Sequence, residues 1–321
     1  MVMLSPPFVS AALFSEFENE ELRAAVSFGI IHANDFERRI AMSQNQKPIG
    51  PEDYEEPQCL LCGEPYGAEP KPEPIPQQRV VQKLDEYMSR RDYAGAERHL
   101  LYWLEEAKRV RDLRGELLVH NELIGHYRKV SNREQAFAHI EEALKLLDVL
   151  DFEGSVSAGT TYVNSATACS AFDENERALA LFQKARAVYE ANPDTRKHLL
   201  GGLYNNMALA CQALGRYDDA FELYEKAMAV MNDVAGGVLE QAITCLNMAD
   251  AVAAQQGLEA GETRIFQLLD QAYDLLHDDS APRDGYYAFV CEKCAPSFSY
   301  YGYFLAAEEL QKTAEAIYER P

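Results

Sequence analysis

Two cysteine pairs in this 321-residue chain, Cys59-Leu-Leu-Cys62-Gly63 and Cys291-Glu-Lys-Cys294, have the spacing that metal and redox sites use. Two thiolates on a tight turn can reach one metal ion, and zinc closes a structural site with four such ligands. The pairs begin 232 residues apart, so Cys59, Cys62, Cys291 and Cys294 form one four-thiolate zinc site only if the chain folds back or two chains meet. Ordinary free thiols are the first alternative. A redox pair is the second, but it needs a thioredoxin-like sheet, and none is evident. Seven scattered cysteines, an odd number, lack the density of a disulfide-stapled domain. Cys169, Cys211 and Cys245 fall inside helical apolar patterns, where a thiol packs as a small hydrophobe. The seven histidines form no HExxH and no triad order, and Walker, GxGxxG and GxSxG loops are absent. We therefore expect no catalysis and no cofactor beyond the zinc alternative.

A different set of polar residues recurs. Asn164, Asn206 and Asn247 stand 42 and 41 residues apart at one place in successive helical segments, and Asn121 and Asn205 stand one place earlier. Asparagine is a poor helix former, so its repeated use in mid-helix implies that the amide is needed as donor and acceptor together. A peptide backbone offers the matching groups. So does a neighbouring repeat, through a structural hydrogen bond.

The helices that must position these amides come from an internal repeat. FDENERALALFQKA (172–185) aligns with LGRYDDAFELYEKA (214–227), and the 42-residue offset also carries Asn164 to Asn206, Ala166 to Ala208, Cys169 to Cys211 and Phe182 to Tyr224. The frame extends back to Ala136 and Ala96. It runs forward, after an insertion around Gly257 and Gly261, to Ile265, Leu269 and Ala272, and then to a capping copy with Gly302, Phe304, Ala307 and Ala314. Small alanines let two helices approach closely, and an aromatic ring one turn later fills the groove between them. Gly215 suits a helix C-terminus, and Asp218 and Asp219 suit the positive end of the next helix.

LYNNMALACQALGRYDDAFELYEKA (203–227) resembles the tetratricopeptide repeat, with a period nearer that of the kinesin light chain repeats than the usual 34. The resemblance covers roughly residues 80–319 and implies an all-α superhelix, a solenoid of about six helical hairpins. It also implies that Asn164, Asn206 and Asn247 line a concave face and bond the backbone of an extended ligand; Asn121 and Asn205 are further candidate peptide contacts. Arg128 joins these candidate peptide contacts. With Lys129 it is the one basic pair nearby on the inner helices, so the basic carboxylate clamp of chaperone-binding relatives is not evident.

Three segments follow. Residues 1–46 carry an apolar helical pattern through Leu22, Val26, Phe36 and Ile40; residues 47–77 are a proline-rich linker holding the first CxxC; residues 78–321 hold the repeats. The 30 Lys and Arg against 52 Asp and Glu give a net charge of −22, which repels nucleic acid and anionic lipid and favours a neutral or basic protein or peptide partner. The first residues lack a basic n-region and are too short to span a bilayer, so we expect a cytoplasmic protein. The expected function is an adaptor that holds a peptide or protein segment. The alternative is homo-oligomerisation, with the N-terminal segment docked on a repeat domain.

Overall fold

The computed structural model describes residues 73–319, and all regular structure in that span is helical. The helices are α1 (Gln77–Ser89), α2 (Tyr93–Val110), α3 (Leu113–Lys129), α4 (Arg133–Val149), α5 (Val156–Ala171) and α6 (Asn175–Ala191). They continue with α7 (Lys197–Ala213), α8 (Tyr217–Met231), α9 (Gly237–Gln256), α10 (Leu258–Leu276), α11 (Gly285–Tyr300) and α12 (Phe304–Tyr318). Consecutive helices pack as six hairpins, the number the repeat frame predicts. Residues 1–46 and nearly all of the linker, with Cys59 and Cys62, lie outside the described residues.

Packing follows the repeat frame. Ala96, Ala136, Ala178, Ala220, Ala272 and Ala307 are buried where paired helices cross, and Phe182 and Tyr224 fill the equivalent grooves one turn on. Burying an aromatic side chain of this size contributes about 1.5–3 kcal/mol, and the Tyr224 hydroxyl avoids the penalty of an unmade bond by donating to Gln212 Oε1 at 2.9 Å. Cys169, Cys211 and Cys245 are buried in the same core.

Each hairpin turns through a left-handed residue, and that position repeats as faithfully as the alanines. Arg91, Ser131, Asp173, Gly215, Gly257 and Gly302 have φ of 56°, 56°, 63°, 72°, 84° and 88°. In five of the six turns the next amide donates back to a carbonyl five residues earlier, as in Asn132 to Tyr127, Glu174 to Cys169 and Arg216 to Cys211. This bond satisfies carbonyls that a helix end otherwise leaves open. The sequence signals only the glycines, since Arg, Ser and Asp seldom adopt this conformation. The insertion expected around Gly257 and Gly261 is not a loop. Gly257 alone separates α9 from α10, and the extra length lengthens those helices to 20 and 19 residues.

The first helices of successive hairpins touch one another from α3 through α5, α7 and α9 to α11, while each second helix packs on the first helix of the next hairpin at α4–α5, α6–α7 and α8–α9. The row of first helices is therefore the inner wall, and every candidate asparagine sits on it. The aromatic-rich end divides. Tyr287, Phe289 and Phe298 are core, whereas Tyr300 and Phe304 are exposed.

Candidate functional site on the inner helices

The asparagines form rungs between repeats. Asn164 Nδ2 on α5 donates to Asn121 Oδ1 on α3 at 3.3 Å, and Asn247 Nδ2 on α9 donates to Asn205 Oδ1 on α7 at 3.2 Å. Asn121 completes its own valences by donating to the Leu117 carbonyl and to Thr161 Oγ1, both at 3.0 Å. Leu117 O can only accept, so the Asn121 nitrogen must face it and the oxygen must face Asn164. The inter-repeat bond that the sequence left open is thus present, and Asn121 and Asn247 are buried in making it.

No such rung joins α5 to α7 among the described residues. Asn164 Oδ1, Asn205 Nδ2 and both polar atoms of Asn206 make no hydrogen bond there, and all three residues are only half-buried. Ser165 Oγ, beside Asn164, and Asn247 Oδ1 are fully buried without a partner. Unmade bonds of buried polar groups each cost about 1–3 kcal/mol, so their accumulation on one wall is unusual for a finished core.

Acids share this wall, half-buried on α9 and fully buried on α3. Glu240 and Asp250 on α9 accept from Tyr286 on α11 and from Tyr301 just past its end, the second at 2.6 Å. Burial pushes the Asp250 carboxyl up to about 6, and the Glu240 carboxyl also rises. Glu122 on α3 is 2% exposed, has no hydrogen bond or ion pair among the described residues, and leaves Oε2 sealed and unpartnered. Burial, with the neighbouring charge of Asp85, pushes its carboxyl up to about 8. Sequence reasoning missed Glu122, although the 42-residue frame aligns it with Asn164 and Asn206, and the lone acid in the run LLVHNELIGHY was the available signal.

The remaining candidates have distinct settings. Arg128 is half-buried, and desolvation brings its guanidinium down to about 10. His120 and His139, which the sequence left as dispersed, meet Nδ1 to Nδ1 at 2.8 Å between α3 and α4, with Tyr127 stacked on His139. Burial holds both imidazoles down to about 4, so one donates and the other accepts as neutral rings at pH 7. Cys291 and Cys294 are buried in α11, where desolvation raises both thiols, Cys291 to about 11, and disfavours the thiolates a metal would need. No cluster of three or more metal-ligating side chains occurs among the described residues, and no described helix is long and apolar enough to cross a membrane.

Residues 199–260 match the family model of the tetratricopeptide repeat. Among solved structures, BtubC (BKLC) of P. vanneervenii is similar at 19% identity with a TM-score of 0.55, over 62% of this chain and 78% of that one. Two structures of kinesin-light-chain-type, nearly identical TPR-like repeats of Podosopora anserina are similar at 17% and 18% identity, each with a TM-score of 0.45. They cover 63% and 64% of this chain and 93% and 97% of those chains. No curated protein matches the sequence. The match takes in α7, α8 and α9 and the first residues of α10, so this stretch is similar to tetratricopeptide repeats, within a solenoid of six hairpins whose period is about 42 residues.

Proposed function

We propose that the inner wall holds an extended peptide or protein segment, and that the chain works as a non-catalytic adaptor. The observation that carries this reading is the open step between α5 and α7. Two closed rungs flank it, and in the step itself Asn164, Asn205 and Asn206 retain amide atoms with no partner among the described residues. An extended backbone presents alternating donors and acceptors of the kind these amides lack. The rungs hold the wall in register, and the open amides meet the ligand.

Replacing Asn206 with alanine removes an open amide and leaves both rungs intact, so affinity for a partner captured with the full chain should fall about tenfold at unchanged thermal stability. Asn247→Ala breaks a rung and should lower stability as well. Equal binding by Asn206→Ala and the parent chain overturns the reading.

Self-association is a second reading, favoured by the outer face of α12. There Phe304 and Leu305 are 68% and 84% exposed on a helix that caps the solenoid, where a polar face is the rule. Leu305→Glu should convert an oligomer to a monomer in light scattering if this face joins two copies.

A further inference from the structure

Glu122 stands apart from the other acids of the inner wall because nothing among the described residues answers it. Glu240 and Asp250 are half-buried and each accept from a tyrosine, but Glu122 is fully buried, with one carboxylate oxygen sealed and unpartnered. The neighbouring charge that bears on it, besides burial, is that of a second acid, Asp85 on α1. Glu122 occupies the register position of Asn164 and Asn206, next to the rung residue Asn121. A buried carboxyl without a donor is costly in a permanent core, and a guanidinium or ammonium is the group that best satisfies it.

We propose that Glu122 receives an arginine or lysine side chain of the segment bound along the inner wall, so that the ligand is an extended basic peptide of a separate partner protein. This rests on the groove reading above and adds a chemical class to it. The chain's own N-terminal region is the poorer occupant. Residues 1–72 carry twelve Asp and Glu against five Lys and Arg, and they would bring further negative charge to a chain already at −22. The raised carboxyl of Glu122 fits the same picture, since it stays protonated at pH 7 in the free protein and gives up its proton when a cation arrives.

The test uses the full chain and an array of immobilised twelve-residue peptides, degenerate except at the sixth place, which is fixed as Arg, Lys, citrulline, norleucine or Glu. Citrulline keeps the length of arginine and removes its charge. Arg and Lys spots should retain at least tenfold more protein than citrulline spots. In Glu122→Gln this ratio should fall to near one, with norleucine spots unchanged. Glu134→Gln, an exposed acid at the start of α4, controls for overall charge and should keep the parent ratio. A ratio that Glu122→Gln does not change, or one that Glu134→Gln lowers equally, overturns the assignment and leaves the groove standing. Retention on no spot at all overturns the groove reading together with it.

Discussion

The inner helices α3 and α9 face the same wall but handle buried polarity in opposite ways. On α9, each half-buried acid has a tyrosine from α11 or its C-terminal end, so Glu240 and Asp250 act as bonds between hairpins. On α3, Glu122 has no donor among the described residues, and the His120 imidazole is turned to His139 and Glu116 instead. A buried acid with a donor holds the fold together, whereas one without weakens the fold and reserves its valence for a ligand. The α9 acids are bonded into the fold, and the α3 acid is the one left for the proposed ligand.

The sharpest way to break this contrast is Glu122→Gln followed across pH. The folded carboxyl titrates near 8 against an ordinary 4.5, so its contribution to stability is fully present below pH 4.5 and is lost as pH rises through about 8. Between pH 5 and pH 8.5, urea unfolding should show the parent losing up to about 4 kcal/mol more than the variant, which has no carboxylate to ionise. Identical pH profiles would mean that Glu122 is solvated and that α3 differs little from α9.

Tyr301→Phe turns α9 into a copy of α3 by leaving Asp250 without its donor. The cost should be about 1–3 kcal/mol at pH 7.5. It should shrink at pH 5, below the value of about 6 to which Asp250 is raised, because the acid is then neutral. A cost that does not depend on pH would assign the tyrosine to packing alone.

His139→Phe keeps the ring against Tyr127 and removes the acceptor of His120, for an expected loss of about 1–2 kcal/mol at pH 7. Both imidazoles are depressed to about 4 in the fold, so the stability they contribute is present above pH 6.5 and is lost as pH falls through about 4. The variant should therefore lose less than the parent between those values. An unchanged acid limb in circular dichroism melts would show that the pair does not govern acid sensitivity.

The solenoid was legible in the sequence because its contacts are local and periodic. Ala178 over Ala220 and Phe182 over Tyr224 encode a helix crossing that any 42-residue frame reveals. The left-handed turns were legible at Gly215 and Gly302 but hidden at Arg91, Ser131 and Asp173, where the backbone overrides residue preference. The asparagine row was visible as a row. Its division into two rungs and an open step was not, because partners about 42 residues apart meet only through the superhelical geometry. The pairing of His120 with His139 and of Asp250 with Tyr301 depends likewise on how helices cross, which no spacing rule encodes.

The recurring left-handed residue also makes the chain divisible. Both flanks of the slot close through main-chain bonds, so a segment lifted out between two slots leaves ends that rejoin in the same backbone geometry, whatever their side chains. Removing residues 174–215 would join Asp173 to Arg216, pair α5 with α8, and bring α9 beside α5 in place of α7. The shortened chain would keep its turns but lose Asn205 and Asn206, and with them the open step. Length is therefore exchangeable in whole hairpins, while the open step belongs to one junction.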